Sequence, residues 1–119
     1  YKFLQSKNYY SKKLESILII MSDKIVLTKS TRSDKKFMVK VGTRTVHFGA
    51  DGYSDYTIHK DPERKQRYIN RHKAKENWGK SGINTAGFWS RWILWNLPSL
   101  TGSINDTKKR FNINIVYRR

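Results

Sequence analysis

Hydrophobic and polar positions alternate most clearly over residues 37–41, where Phe37, Val39 and Val41 are separated by Met38 and Lys40. A period of two belongs to a strand with one buried face. Gly42-Thr43 follows, and Gly at the first position of a two-residue loop suits a type II′ turn. Residues 44–48 (RTVHF) form the next run. A turn at 42–43 sets Val39 opposite Val46 and Phe37 opposite Phe48, with both pairs on one sheet face. Turn chemistry and hydrophobic pattern thus agree on one hairpin over residues 36–48. Residues 24–28 (KIVLT) read as a further short strand, residues 29–35 as a polar loop, and residues 113–117 as a strand returning to the sheet.

The other segments have a helical period. Asp61-Pro62-Glu63 is a strong helix start, with Asp as the cap and Pro at the first helical position. The helix is expected to run from Pro62 to about Asn77, on a thin apolar stripe of Tyr68, Ile69 and Ala74 with Trp78 at its end. So narrow a stripe leaves most of the circumference in solvent. Residues 85–96 (TAGFWSRWILWN) are apolar on most sides. Phe88, Trp92 and Trp95 form one stripe with Trp89 and Ile93 beside it, which predicts the central core helix. Leu97-Pro98-Ser99 turns the chain, and Leu100, Ile104, Thr107 and Phe111 predict one more helix. Lys108, Lys109 and Arg110 sit in its last turn, where cations complement the helix dipole.

Residues 1–20 have a different texture, without Gly or Pro. They precede Met21-Ser22-Asp23, which reads like an ordinary start of a protein, and are expected to be an N-terminal extension or arm, with a short helix over 11–20. Residues 21–119 then form a single domain. The expected fold class is α+β: a small antiparallel sheet, made of the hairpin and one or two short strands, packed on a Trp-rich helix with an exposed basic helix outside.

Composition adds charge to this picture. The 25 Lys and Arg outnumber the 9 Asp and Glu, for a formal net of +16. Self-repulsion on that scale destabilises a compact state, so a polyanionic or acidic partner is expected to offset it. Four Trp and 13% aromatic residues separate the chain from a disordered polycation. The absence of Cys excludes disulfides, thiolate metal sites and cysteine nucleophiles. The longest apolar run, residues 17–21, is far short of a membrane span and only faintly like a signal peptide.

Enzyme chemistry finds no foothold in these residues. His47, His59 and His72 lack the spacing of a zinc helix. His59, Asn70 and His72 follow a hairpin as in a ββα-metal nuclease, but two residues apart on a helix the side chains of Asn70 and His72 diverge. Asp51 and Asp55 are placed for turns and caps. No G-x-S-x-G, G-x-G-x-x-G or Walker pattern is present. No catalytic residue, metal, cofactor or small-molecule substrate is expected.

What remains is binding. Residues 60–80 carry eight Lys or Arg and three acids. Arg64, Lys65, Arg67, Arg71, Lys73 and Lys75 are the candidate polyanion- or partner-binding residues. Trp78, Trp89 and Trp92 are candidate interface aromatics, since Trp and Arg are enriched at hot spots and Arg91 lies between the latter two in sequence. The simpler role of the Trp cluster is core.

Residues 46–61 (VHFGADGYSDYTIHKD), the basic helix ending in Asn77-Trp78, and residues 87–96 (GFWSRWILWN) carry a resemblance. Over about residues 36–111 the chain resembles an uncharacterised family of small basic proteins of large nucleo-cytoplasmic DNA viruses of algae and protists. The resemblance implies a virion protein with no assigned activity, located in or just beneath the capsid and assembled in the host cytoplasm. Its expected partners are the major capsid protein or other virion proteins, DNA, or inner-membrane headgroups. The expected function is a minor structural protein docked to capsomers by charge and aromatic contacts. The alternative is a non-sequence-specific nucleic-acid-binding or genome-packaging protein.

Overall fold

The computed structural model describes residues 24–119, so the expected arm over 1–20 and its helix lie outside the described residues. Three strands open the fold: β1 (Lys24–Lys29), β2 (Lys35–Val41) and β3 (Arg44–Ala50). The hairpin register is the expected one, with Phe37 opposite Phe48 and Val39 opposite Val46. Gly42 has φ of 61° while Thr43 keeps a negative φ, as a type II′ turn requires.

Two helices lie next along the chain, α1 (Tyr56–His59) and α2 (Pro62–His72). The aromatic segment follows as α3, α-helical over Ala86–Trp89 and π-helical over Ser90–Leu94. After the corner at residues 97–99 comes α4 (Leu100–Phe111), capped by the Ser99 hydroxyl, which accepts from the Gly102 amide. Strand β4 (Asn114–Tyr117) ends the fold.

The sheet order is β3-β2-β1-β4. β4 runs parallel to β1, with Ile115 beside Ile25 and Tyr117 beside Leu27. The fold is therefore α+β with a mixed four-stranded sheet, not the small antiparallel sheet expected. Alternation identifies a strand but carries no information on its direction. Returning through α4, the chain enters the sheet edge parallel to β1.

One sheet face builds the core. Ile25, Leu27, Val39, Val46, Phe48 and Ile115 are buried there against Phe88, Trp89, Trp92, Ile93, Leu94 and Ile104. Thr107 is also fully buried, because its hydroxyl donates to the Ser103 carbonyl within α4 and lies 3.1 Å from that of Trp92. The Trp-rich helix is thus the central helix, as its pattern predicts. Its last turn is different. The Trp95 amide donates to Ser90, five residues back, rather than four. That wider turn takes Trp95 off the stripe it was expected to share with Phe88 and Trp92. Among the described residues no helix is long and apolar enough to cross a membrane.

Candidate polyanion-binding surface

α2 begins where the sequence places it. The Asp61 carboxylate accepts from the Glu63 amide, and Pro62 occupies the first turn. The helix ends at His72 rather than near Asn77. Beyond it the Asn77 side chain accepts from the Gly79 amide and donates to Ser81. This local turn draws the chain off the helical path and returns Trp78 against the helix.

The six candidate cations consequently do not share one face. Arg64 and Arg71 line a cleft of about 510 Å³ between α2, the ends of β2 and β3, and the start of α3. Lys35, His72 and Glu76 also line it. Arg67 points outward and is exposed. Lys73 and Lys75 lie past the helix end, exposed on the following turn. Lys65 is half-buried, with its ammonium 5.1 Å over the Tyr56 ring. None of the six is paired with a carboxylate among the described residues.

Aromatic stacking docks the helix. Tyr68, the buried residue of α2, lies against Trp95 at a centroid distance of 4.4 Å with 2° between the planes. His72 stacks on Tyr68 at 4.4 Å, and Trp78 lies nearly parallel to it at 6.4 Å. Burial, reinforced by the negative charge of Glu76, pushes the Tyr68 hydroxyl up to about 12. The phenol is therefore neutral at ordinary pH.

Two of the three candidate interface aromatics are core residues. Trp89 is fully buried with its indole N–H donated to the Ile83 carbonyl at 2.7 Å, and Trp92 is buried with its N–H on the Trp78 carbonyl at 2.9 Å. Their area faces the sheet and α4, where it stabilises the fold. Trp78 is the one that keeps exposed surface.

The histidines serve the fold separately. His47 Nδ1 and the Ser30 hydroxyl share a hydrogen bond of 2.8 Å on the sheet face away from the core. His59 Nδ1 accepts from the Asp61 amide, its ring packs 5.3 Å from Trp95, and its Nε2 is buried without a partner. Burial, aided by the nearby Arg64 charge, holds the His59 pKa below its ordinary value. Asn70 is exposed and bonded to Gln66, so it does not join His59 or His72. No group of three or more metal-ligating side chains forms among the described residues.

A second set of cations emerges only in three dimensions. Arg91 from α3 and Arg110 from α4 both stack on Trp92, at 4.4 and 4.5 Å from the ring centroid. Arg91 is also 5.4 Å over Trp78. The residues of this cluster were visible in the sequence, Arg91 as a neighbour of two Trp and Arg110 as a helix-end cation. Their convergence was not, because it depends on how α3 and α4 pack.

Residues 25–72 match a family of unknown function (DUF5754), a stretch from β1 to the end of α2. It includes Arg64, Lys65, Arg67 and Arg71 and stops before α3 and α4. No curated protein and no solved structure matches the chain.

Proposed function

We propose that this chain is a non-enzymatic nucleic-acid-binding protein of a large icosahedral DNA virus particle, contacting the phosphate backbone without reading sequence. The carrying observation is the exposed cation set on and after α2. Arg64, Arg67, Arg71, Lys73 and Lys75 are exposed and lack acidic partners among the described residues. Flexible cations held out in solvent suit a polyanion, whose condensed counterions they release. A solvated helix face would gain nothing from so lopsided a charge.

Docking to capsomers is the second reading. With Trp89 and Trp92 in the core, it loses two of its proposed anchors. It is supported by Tyr53 and Ile58, which are 74% and 60% exposed and line a groove with Phe37 and Tyr117. Exposed apolar side chains next to such a groove fit a protein contact.

The test replaces Arg64, Arg67, Arg71, Lys73 and Lys75 with Gln and measures duplex DNA affinity over a series of salt concentrations. The parent protein should bind with log K falling steeply against log salt, by about 0.9 per phosphate neutralised. The variant should bind weakly with a shallower slope. Equal affinity and slope for the two proteins would overturn the proposal. The capsomer reading would gain if Tyr53→Ala and Ile58→Ala released the protein from empty shells at high salt.

A further inference from the structure

We infer that Arg91 and Arg110 form a phosphate-binding site where α3 and α4 meet. This rests on the nucleic-acid reading for its ligand but on separate residues for its geometry.

Helix α3 supplies Arg91 and helix α4 supplies Arg110. Trp92 carries both guanidinium groups, with Arg91 and Arg110 stacked at 4.4 and 4.5 Å. Stacking fixes the plane of a guanidinium and leaves its N–H edge for an acceptor. Arg91 is held further by Trp78 at 5.4 Å and by one bond from Nη1 to the Trp95 carbonyl at 2.8 Å. Its Nε–H is buried without an acceptor. No carboxylate among the described residues lies within ion-pairing distance of Arg91.

Among the described residues, Asp106 is the one acid bonded to this pair of guanidinium groups. It accepts from Arg110 Nε at 3.2 Å and from Asn96 Nδ2 at 2.7 Å, so its capacity is already drawn on by two donors. The surplus of positive charge is felt at Arg91. Burial, with the charge of Arg110, lowers the pKa of Arg91. A half-buried guanidinium, Arg91, with a second one on the same ring carries an electrostatic cost that a bound anion would relieve. Planar forks fixed by stacking fit the oxygens of a phosphate in paired, charge-assisted bonds. The phosphate can come from a nucleic-acid strand or from the free ion, and the test separates the two.

The variants are Arg110→Gln, Arg91→Gln and the double, in the full chain. Arg110 has a side chain 47% exposed, so its removal leaves a protein that folds even where Arg91→Gln does not. Two probes are used: inorganic phosphate against chloride at fixed ionic strength, read as a shift in Tm, and a single-stranded oligothymidylate, read as affinity against salt. Phosphate should raise the Tm of the parent and not of Arg110→Gln. Oligothymidylate affinity should fall by about tenfold or more at low salt, the loss of a hydrogen-bonded charge contact. Equal phosphate stabilisation of parent and Arg110→Gln, with equal oligonucleotide affinity, would overturn the site. If the five-Gln variant loses DNA while Arg110→Gln behaves as the parent with both probes, the site falls and the nucleic-acid reading stands. If neither variant changes oligonucleotide affinity but Arg110→Gln still loses phosphate stabilisation, the nucleic-acid reading falls and the site stands as one for the free ion.

Discussion

The rings of Tyr68 and Trp95 lie parallel within 2° and 4.4 Å apart, joining the basic helix to the end of the central helix. Two sequence features meet in that stack. The first is the lone buried residue of an otherwise charged helix. The second is a wide turn that moves Trp95 out of the sheet-facing stripe. Without it α2 would have little apolar area to hold it in place. Tyr68→Ala should therefore cost about 3 kcal/mol in denaturant unfolding, typical of removing a large buried ring. A double-mutant cycle with Trp95→Ala should give a coupling of roughly 1 kcal/mol, the worth of the stack beyond buried area. Additive effects would mean that the two rings pack independently.

Asp55 and Lys36 predict a second sensitive point. Their ion pair spans 2.6 Å with side chains 3% and 15% exposed. Asp55 also accepts from the Thr57 amide and hydroxyl, so one carboxylate caps α1 and neutralises a strand lysine. Asp55→Ala leaves Lys36 buried without its partner and should cost about 3–5 kcal/mol. Asp55→Asn keeps the cap but not the charge. In chemical denaturation it should fall between the parent and Asp55→Ala.

Much of this fold was legible in the chain. Phe37, Val39, Val46 and Phe48 gave the hairpin register because side-chain period and turn chemistry both act locally. Asp61-Pro62 gave the start of α2 for the same reason. What escaped was decided by distant partners. The parallel pairing of β4 with β1 and the displacement of Trp95 each depend on packing across elements. The candidate site divides likewise. The exposed cations of α2 could be named from a charge run, whereas the Arg91–Trp92–Arg110 arrangement needed the helices to be placed.

His59 gives the protein an acid-sensitive joint. Its ring is neutral and packed on Trp95, with Nδ1 accepting from Asp61. Burial and Arg64 lower its pKa from the ordinary 6.5, Lys36 adds a smaller push the same way, and Asp61 and Asp55 pull against them. The unfolded chain thus takes up a proton before the folded one does. Stability due to this site is complete above the ordinary value and is lost as pH falls toward the folded pKa. His59→Asn keeps an acceptor near Nδ1 and does not titrate. Between about pH 7.5 and about pH 5 the parent should lose more stability than this variant. Parallel pH curves would assign the acid sensitivity elsewhere.

Two glycines at the start of the central helix separate backbone constraint from side-chain adjustment. A Cβ on Gly82 would lie 2.0 Å from the Asn77 carbonyl oxygen, and Gly82 is buried in the turn before α3. The Asn77 side chain is bonded to the Gly79 amide and the Ser81 hydroxyl, and the next carbonyl, that of Trp78, accepts from Trp92, so the Asn77 backbone cannot yield without disturbing the path of Trp78. A Cβ on Gly87 would meet only the Glu76 carboxylate, at 1.8 Å, the far end of a flexible side chain over the first turn of α3. Gly82→Ala should therefore destabilise by about 1–3 kcal/mol or more, the usual cost of overpacking. In Gly87→Ala the Glu76 side chain swings aside, and the gain in helix propensity over Gly offsets part of the lost attraction to the helix N-terminus. Its net effect should stay within about 1 kcal/mol. Thermal melts of the two variants test the ordering, and an equal loss in both would mean that Glu76 is as rigidly held as the Asn77 backbone.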